Sequence, residues 1–194
     1  MNWRRILHGL ALGALGWMIG CAESHEPAPA LQAGERPMSI TVKSTAFDEG
    51  QAIPKRYTGD GEDLSPPLSW SQLPAGTKSL ALVVDDPDAP RADPWVHWLI
   101  YRIPAEATGL KEGVPQKEQL AEPAGALQGK NSWGTAGYRG PAPPKGHGTH
   151  HYHFKLYALN LALDLKPGLE KHDLLNAISG HVLGHGELVG TYQR

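Results

Sequence analysis

A single cysteine, Cys21, stands among the 194 residues, so no intramolecular disulfide forms and no CxxC redox or metal motif exists. No GxSxG segment occurs, which leaves the chain without the nucleophile elbow of an α/β hydrolase. Charge of one sign is not in excess either. Lys and Arg number 18 against 20 Asp and Glu, for a formal net charge of −2; nucleic acid, which needs a basic footprint, is excluded as a partner. No apolar run reaches the roughly 20 residues of a membrane-spanning helix, and there is no internal repeat or heptad series. Phenylalanine is scarce at 2 residues, whereas Trp numbers 6, Gly 23 and Pro 17. Such a composition favours turns and short strands over long helices, and 40% hydrophobic residues suffice for a folded core.

The first twenty residues read as an export signal. Arg4 and Arg5 precede an apolar stretch, Ile6 to Ile19, that is too short to span a bilayer about 30 Å thick. It ends Leu15-Gly16-Trp17-Met18-Ile19-Gly20-Cys21, which resembles the lipobox at which bacterial lipoproteins are cleaved and acylated, with Met18 where leucine is usual. Cys21 is thus the expected lipidation site, and its lipid the membrane anchor. Ala22 after it points to the outer membrane, facing the periplasm. Residues 21–37 carry three Pro and three Glu without apolar periodicity and are expected to be a flexible tether. One folded domain is expected over 38–194, long enough for a core without covalent staples.

Within that body, Ser39 to Ser44 alternates like a half-buried strand. Lys78 to Asp85 is continuously apolar, as in a strand buried on both faces of a sandwich or central sheet. Strict alternation over Trp95 to Ile103 puts Trp95, His97, Leu99, Tyr101 and Ile103 on one face. His150 to Leu159 is a further strand, with His150, Tyr152, Phe154 and Leu156 together and His151, His153, Lys155 and Tyr157 opposite. Helical spacing predicts a short helix over Asp173 to Leu183, stopped by Gly184 and Gly186, and a closing strand over Glu187 to Gln193. The Gly/Pro-rich segment between residues 104 and 149 is long for a compact domain, and such loops are usually functional.

Two groupings carry chemistry. Asp85, Asp86 and Asp88 cluster at a strand end, where Asp-Pro-Asp-Ala-Pro equally reads as an ordinary turn. His147, His150, His151 and His153, with His97, surround the Gly/Pro loop. His151 and His153, or His181 and His185 at helical spacing, are geometries that zinc accepts, yet each pair lacks a third ligand, so no metal and no other cofactor is expected.

The segments Asp86-Pro87-Asp88-Ala89-Pro90, Trp95-Val96-His97-Trp98, Gly137 to Tyr152, Gly180-His181-Val182-Leu183 and Leu188 to Tyr192 resemble the phosphatidylethanolamine-binding protein family, also called the Raf-kinase-inhibitor-like family, in its bacterial branch. The resemblance runs from about residue 39 to the C-terminus. It implies a mostly β protein, an antiparallel β-sandwich with one or two short helices, notably near the C-terminus. It also implies a small surface anion pocket formed by Asp86, His97, Pro143, His150 and Tyr152, with Asp88 shaping the wall. Loop N–H groups and two imidazoles would donate to phosphate oxygens, and a rim carboxylate would orient a histidine or meet an ammonium. His151 stands where the family has arginine, so the charge beside the pocket depends on pH. The function implied is non-catalytic binding of phosphate or a phosphorylated headgroup. Two alternatives stand beside it: regulation or inhibition of an external protein partner, and hydrolysis by Asp86, His97 and His150. A homodimer is left open.

Overall fold

The computed structural model describes residues 38–162 and 164–194; the signal at 1–20, the tether at 21–37 and Cys21 lie outside the described residues. Among the described residues nine strands and one α-helix follow in the order β1 (Met38–Ser39), β2 (Thr41–Lys43), β3 (Leu68–Ser71), β4 (Ser79–Asp86), β5 (Trp95–Pro104), β6 (Gly109–Leu110), β7 (Leu127–Gln128), β8 (His150–Leu159), α1 (Lys171–Ile178) and β9 (Val182–Tyr192), with a 3-10 turn at Lys55–Tyr57. A six-stranded sheet has the order β1-β9-β8-β4-β5-β7 and a three-stranded sheet the order β2-β3-β6. All the ladders are antiparallel except β1 on β9, which is parallel.

The apolar run of β4 is buried at all eight positions because both faces of the large sheet are covered. On one side Leu82, Val84, Trp98, Ile100, Phe154 and Leu156 pack against Val42, Leu68 and Trp70 of the small sheet. On the other, Ala81, Val83, Leu99 and Tyr101 lie under Leu174 and Ile178 of α1. Each large side chain so buried contributes about 1.5–3 kcal/mol relative to leaving it in water. The inner face also holds a satisfied polar group. Trp98 Nε1–H donates to Gln128 Oε1 at 2.5 Å, and the Gln128 amide donates to the carbonyls of Pro115 and Lys117 at 2.8 and 2.6 Å, fastening that loop to β5.

Three expectations are corrected. The segment 39–44 is not one strand: Ile40 interrupts it, and the chain passes from the large sheet to the small one there, because Met38 and Ser39 pair with β9 while Thr41 to Lys43 pair with β3. The helix ends at Ile178, Gly180 turns with φ 78°, and Val182 already begins β9. His181 and His185 therefore share no helix; the apolar spacing at 174–178 runs by coincidence into a strand that also begins with valine.

Strict alternation fails along β5 as well. Val84 is opposite Trp98 while Asp85 is opposite Val96, leaving His97 as an extra residue; Leu80 and Leu82 are opposite Ile103 and Ile100, leaving a second extra residue in the stretch that includes Arg102 at φ 56°. These two one-residue bulges each flip the count of faces. Trp98, Ile100 and Ile103 thus all face the small sheet, and Val96, Leu99 and Tyr101 face α1.

Candidate functional site

A cavity of about 220 Å³ opens where β4 ends and β5 and β8 begin. Asp86, His97, His150 and Tyr152 reach it from those strands, and all four are buried, with 3% exposure or less. His150 and Tyr152 arrive together because alternation on β8 turns both to the same face. Pro143 stands in the wall with Ala142 and Pro144 from the Gly/Pro loop, and Ala89, Pro90 and Arg91 come from the β4–β5 turn.

Neighbouring carboxylates on β4 serve opposite sides of the sheet. Asp86 Oδ2 accepts the Nδ1–H of His150 at 2.7 Å, and Asp86 Oδ1 accepts the backbone N–H of Asp88 at 2.8 Å. Asp85, wholly buried, instead meets Lys155 at 2.8 Å and Lys171 at the start of α1, away from the cavity. The expected cluster of three carboxylates is therefore split. Asp88 is also turned away from the cavity lining: its Oδ2 accepts the backbone N–H and the ring Nδ1–H of His151 at 2.8 and 2.7 Å. Partial burial raises the Asp88 pKa, but these two bonds outweigh it and hold the carboxyl below its usual value. Asp88 thus ties the turn after β4 to the start of β8 and does not itself line the cavity.

His151 and His153 form separate pairs, with Asp88 and with Glu187 at 2.7 Å in each case. His181 takes Asn160 as partner at 3.1 Å. Among the described residues no three histidine, cysteine or acidic side chains converge as metal ligands would.

The two floor imidazoles differ from the expected pair of donors. His97 Nδ1 lies 2.5 Å from the carbonyl oxygen of Arg139; a carbonyl only accepts, so Nδ1 carries the proton and Nε2 bears a lone pair. Burial drives the His97 pKa down, which keeps the ring neutral. His150 uses its Nδ1–H on Asp86, and its Nε2 lies 2.8 Å from Nδ1 of His147. Tyr152 is different again. Its hydroxyl is the one buried side-chain polar atom among the described residues without a hydrogen-bond partner. Burial first, then the charges of Asp86 and Asp88, push its pKa far up, so the phenol stays a neutral O–H donor.

Several lining residues escaped the sequence reading. Trp95 and Trp133 meet edge to face at 5.2 Å, Trp133 also meets the His97 ring edge to face at 5.2 Å, and Arg91 lies 4.5 Å over Trp95. Trp95 is two residues before His97 on the same strand and could have been found by alternation; Trp133 reaches the site from a distant loop with no local signal. Arg194 also fixes the wall, bonding both oxygens of Asp60 at 2.5 and 2.9 Å and approaching the Pro143 carbonyl at 3.4 Å. Gly140 lets the loop pass: a Cβ there would stand 2.3 Å from the Tyr57 carbonyl oxygen.

A UPF0098 protein of Methanothermobacter thermautotrophicus is 53% identical over 155 residues, covering 80% of this chain and 99% of that protein. LppC of Mycobacterium tuberculosis, named as a candidate lipoprotein, is 41% identical over 167 residues, covering 86% and 76% of the two chains. The crystal structure of Escherichia coli YbcL, described as a member of the mammalian PEBP family, superposes with a TM-score of 0.76 at 32% identity, covering 81% of this chain and 99% of that one. The phosphatidylethanolamine-binding protein family model matches residues 43–193, a span that takes in every strand forming the cavity. The chain belongs to the phosphatidylethanolamine-binding protein family.

Proposed function

We propose that this protein is a non-catalytic binding protein of the cell envelope whose cavity takes a phosphate-type anion, either free or as a phosphoethanolamine-like headgroup. The observation that carries this reading is the unpartnered Tyr152 hydroxyl on the cavity floor. A buried hydroxyl with no partner costs about 1–3 kcal/mol, and a ligand oxygen accepting from it recovers that loss. The His97 Nε2 lone pair and the Asp86 carboxylate beside it suit an ammonium group or the O–H of a monoprotonated phosphate. Among the described residues no serine, threonine or cysteine lines the cavity, which favours binding over nucleophilic catalysis.

Lipid attachment through Cys21 would hold the protein to the membrane, facing the periplasm, in keeping with the candidate lipoprotein LppC among its relatives. Calorimetric titration of the full chain with phosphate and with phosphoethanolamine tests the cavity. Saturable binding that His150→Ala abolishes, with the fold intact by circular dichroism, is the expected result; unchanged affinity in that variant would overturn the reading. Tighter binding of phosphoethanolamine than of phosphate identifies a headgroup ligand, and equal affinity identifies free phosphate. The anchor is tested by fractionation: Cys21→Ser is expected to leave the membrane fraction, and its retention there would remove the lipid attachment.

A further inference from the structure

The cavity floor is rich in acceptors and poor in donors. Asp86 brings a carboxylate, His97 offers a lone pair at Nε2, and both nitrogens of His150 are already engaged, by Asp86 at 2.7 Å and by His147 at 2.8 Å. Pro143 and Pro144 in the wall have no backbone N–H to give. That leaves the Tyr152 hydroxyl as the floor's donor, and a neutral hydroxyl does not balance the charge of an oxyanion placed beside Asp86.

Arg91 is the one lining side chain with a fixed positive charge. Among the described residues it has no carboxylate partner, whereas Arg56, Arg139 and Arg194 are paired with Glu62, Asp63 and Asp60. Its guanidinium lies 4.5 Å from the centre of the Trp95 ring. Trp95 in turn meets Trp133 edge to face at 5.2 Å, and Trp133 meets His97 at 5.2 Å, so the cation is seated on an aromatic stack that ends at the cavity floor. A guanidinium lying on an indole keeps its in-plane N–H groups free, and that planar fork matches two oxygens of a phosphate.

The turn beneath it is fastened as well. Asp86 Oδ1 accepts the Asp88 N–H at 2.8 Å, the Asp88 carboxylate holds His151 of β8 at 2.7 Å, and the Arg91 N–H donates to the Ala89 carbonyl at 2.6 Å. The carboxylate that stands in the cavity thereby also sets the root of the cation at its mouth. Resting on the anion-binding reading above, we propose that Arg91 is the residue that selects for anions: its guanidinium donates to phosphate oxygens at the cavity mouth, and Trp95 holds it ready there. Tyr152 supplies a hydrogen bond from the floor, and Arg91 sets the sign of the charge that binds.

Inorganic phosphate and phosphoethanolamine are the probes, because both carry the group that Arg91 meets. Calorimetric titration of the full chain at about 20 and about 200 mM sodium chloride reads the charge, since salt screens an exposed cation. For each ligand that the wild type binds, Kd is expected to rise about three- to fivefold between the two salt concentrations. Arg91→Gln is expected to raise Kd about tenfold at the lower salt and to remove most of the salt effect, with the melting temperature unchanged. Arg91→Lys keeps the charge without the planar fork; its affinity is expected to fall between the two, with the salt effect retained. A purely structural role would weaken both variants alike and leave the salt dependence as in the wild type. That outcome, or wild-type affinity in Arg91→Gln, overturns this inference and leaves the anion site standing. Failure of the wild type to bind either ligand removes the anion site and this inference with it.

Discussion

His97 and Arg139 hold each other by two reciprocal hydrogen bonds. The backbone N–H of Arg139 donates to the His97 carbonyl at 3.0 Å, and the His97 ring Nδ1–H donates back to the Arg139 carbonyl at 2.5 Å. Arg139 is the residue from which the Gly/Pro wall of the cavity departs, so one buried side chain fixes both a floor group and the root of the wall. Gly140, immediately after it, accepts no Cβ, and its N–H donates to Asp63 Oδ1 at 2.6 Å.

An acid-sensitive stability follows from His97. Burial lowers its pKa in the folded state, whereas an unfolded histidine titrates near about 6.5. The unfolded chain therefore takes up a proton first. The stabilisation is fully present above about pH 6.5 and is lost as pH falls below it, by up to about 1.4 kcal/mol per pH unit until the folded ring itself protonates. His97→Gln is expected to be less stable at neutral pH, since it disturbs the bonds to Arg139, but to show a flatter stability profile between about pH 6.5 and 5. Urea unfolding at several pH values measures both; parallel profiles would contradict the assignment.

Tyr152→Phe separates binding from stability. Removing a hydroxyl that has no protein partner is expected to leave thermal stability unchanged or to raise it by about 1 kcal/mol. The same variant is expected to bind phosphate about five- to tenfold more weakly, the worth of one hydrogen bond. A loss of stability with undiminished affinity would mean that the hydroxyl has a structural partner and no role toward the ligand.

Asp85→Asn tests the division of the carboxylates between the two faces. It leaves Lys155 and Lys171 without their buried counter-charge, and a loss of about 2–4 kcal/mol by chemical denaturation is expected. Phosphate affinity of the folded variant is expected to match the wild type, because Asp85 does not line the cavity. A parallel loss of affinity would place Asp85 in the electrostatics of the site.

Local pattern carried the strands whose faces alternate without interruption. On β8 the alternation at 150–157 orients His150 and Tyr152 toward the cavity and His151 and His153 away from it. On β5 the same rule misassigned Leu99 and Tyr101 relative to His97, because a bulge is a property of the pairing between two strands and leaves no mark in one of them. The start of β9 was read as helix because its neighbour α1 is short and the apolar spacing continues past its end. The wall contributed by Trp133, Arg139 and Arg194 depends on contacts across the fold, in which a side chain's neighbours are set by loop paths that no short-range periodicity encodes.

The bulge at His97 has a consequence for how such a site can change. It places His97 and Trp98, consecutive in the chain, on the same side of the sheet, one contributing to the cavity and the other fully buried in the core. Deleting one residue at this point would restore regular alternation and exchange inward and outward positions for everything on one side of it. The site and the packing that supports it are thus inherited together, and the ligand-facing histidine cannot be shifted along the strand without dismantling the interior beside it.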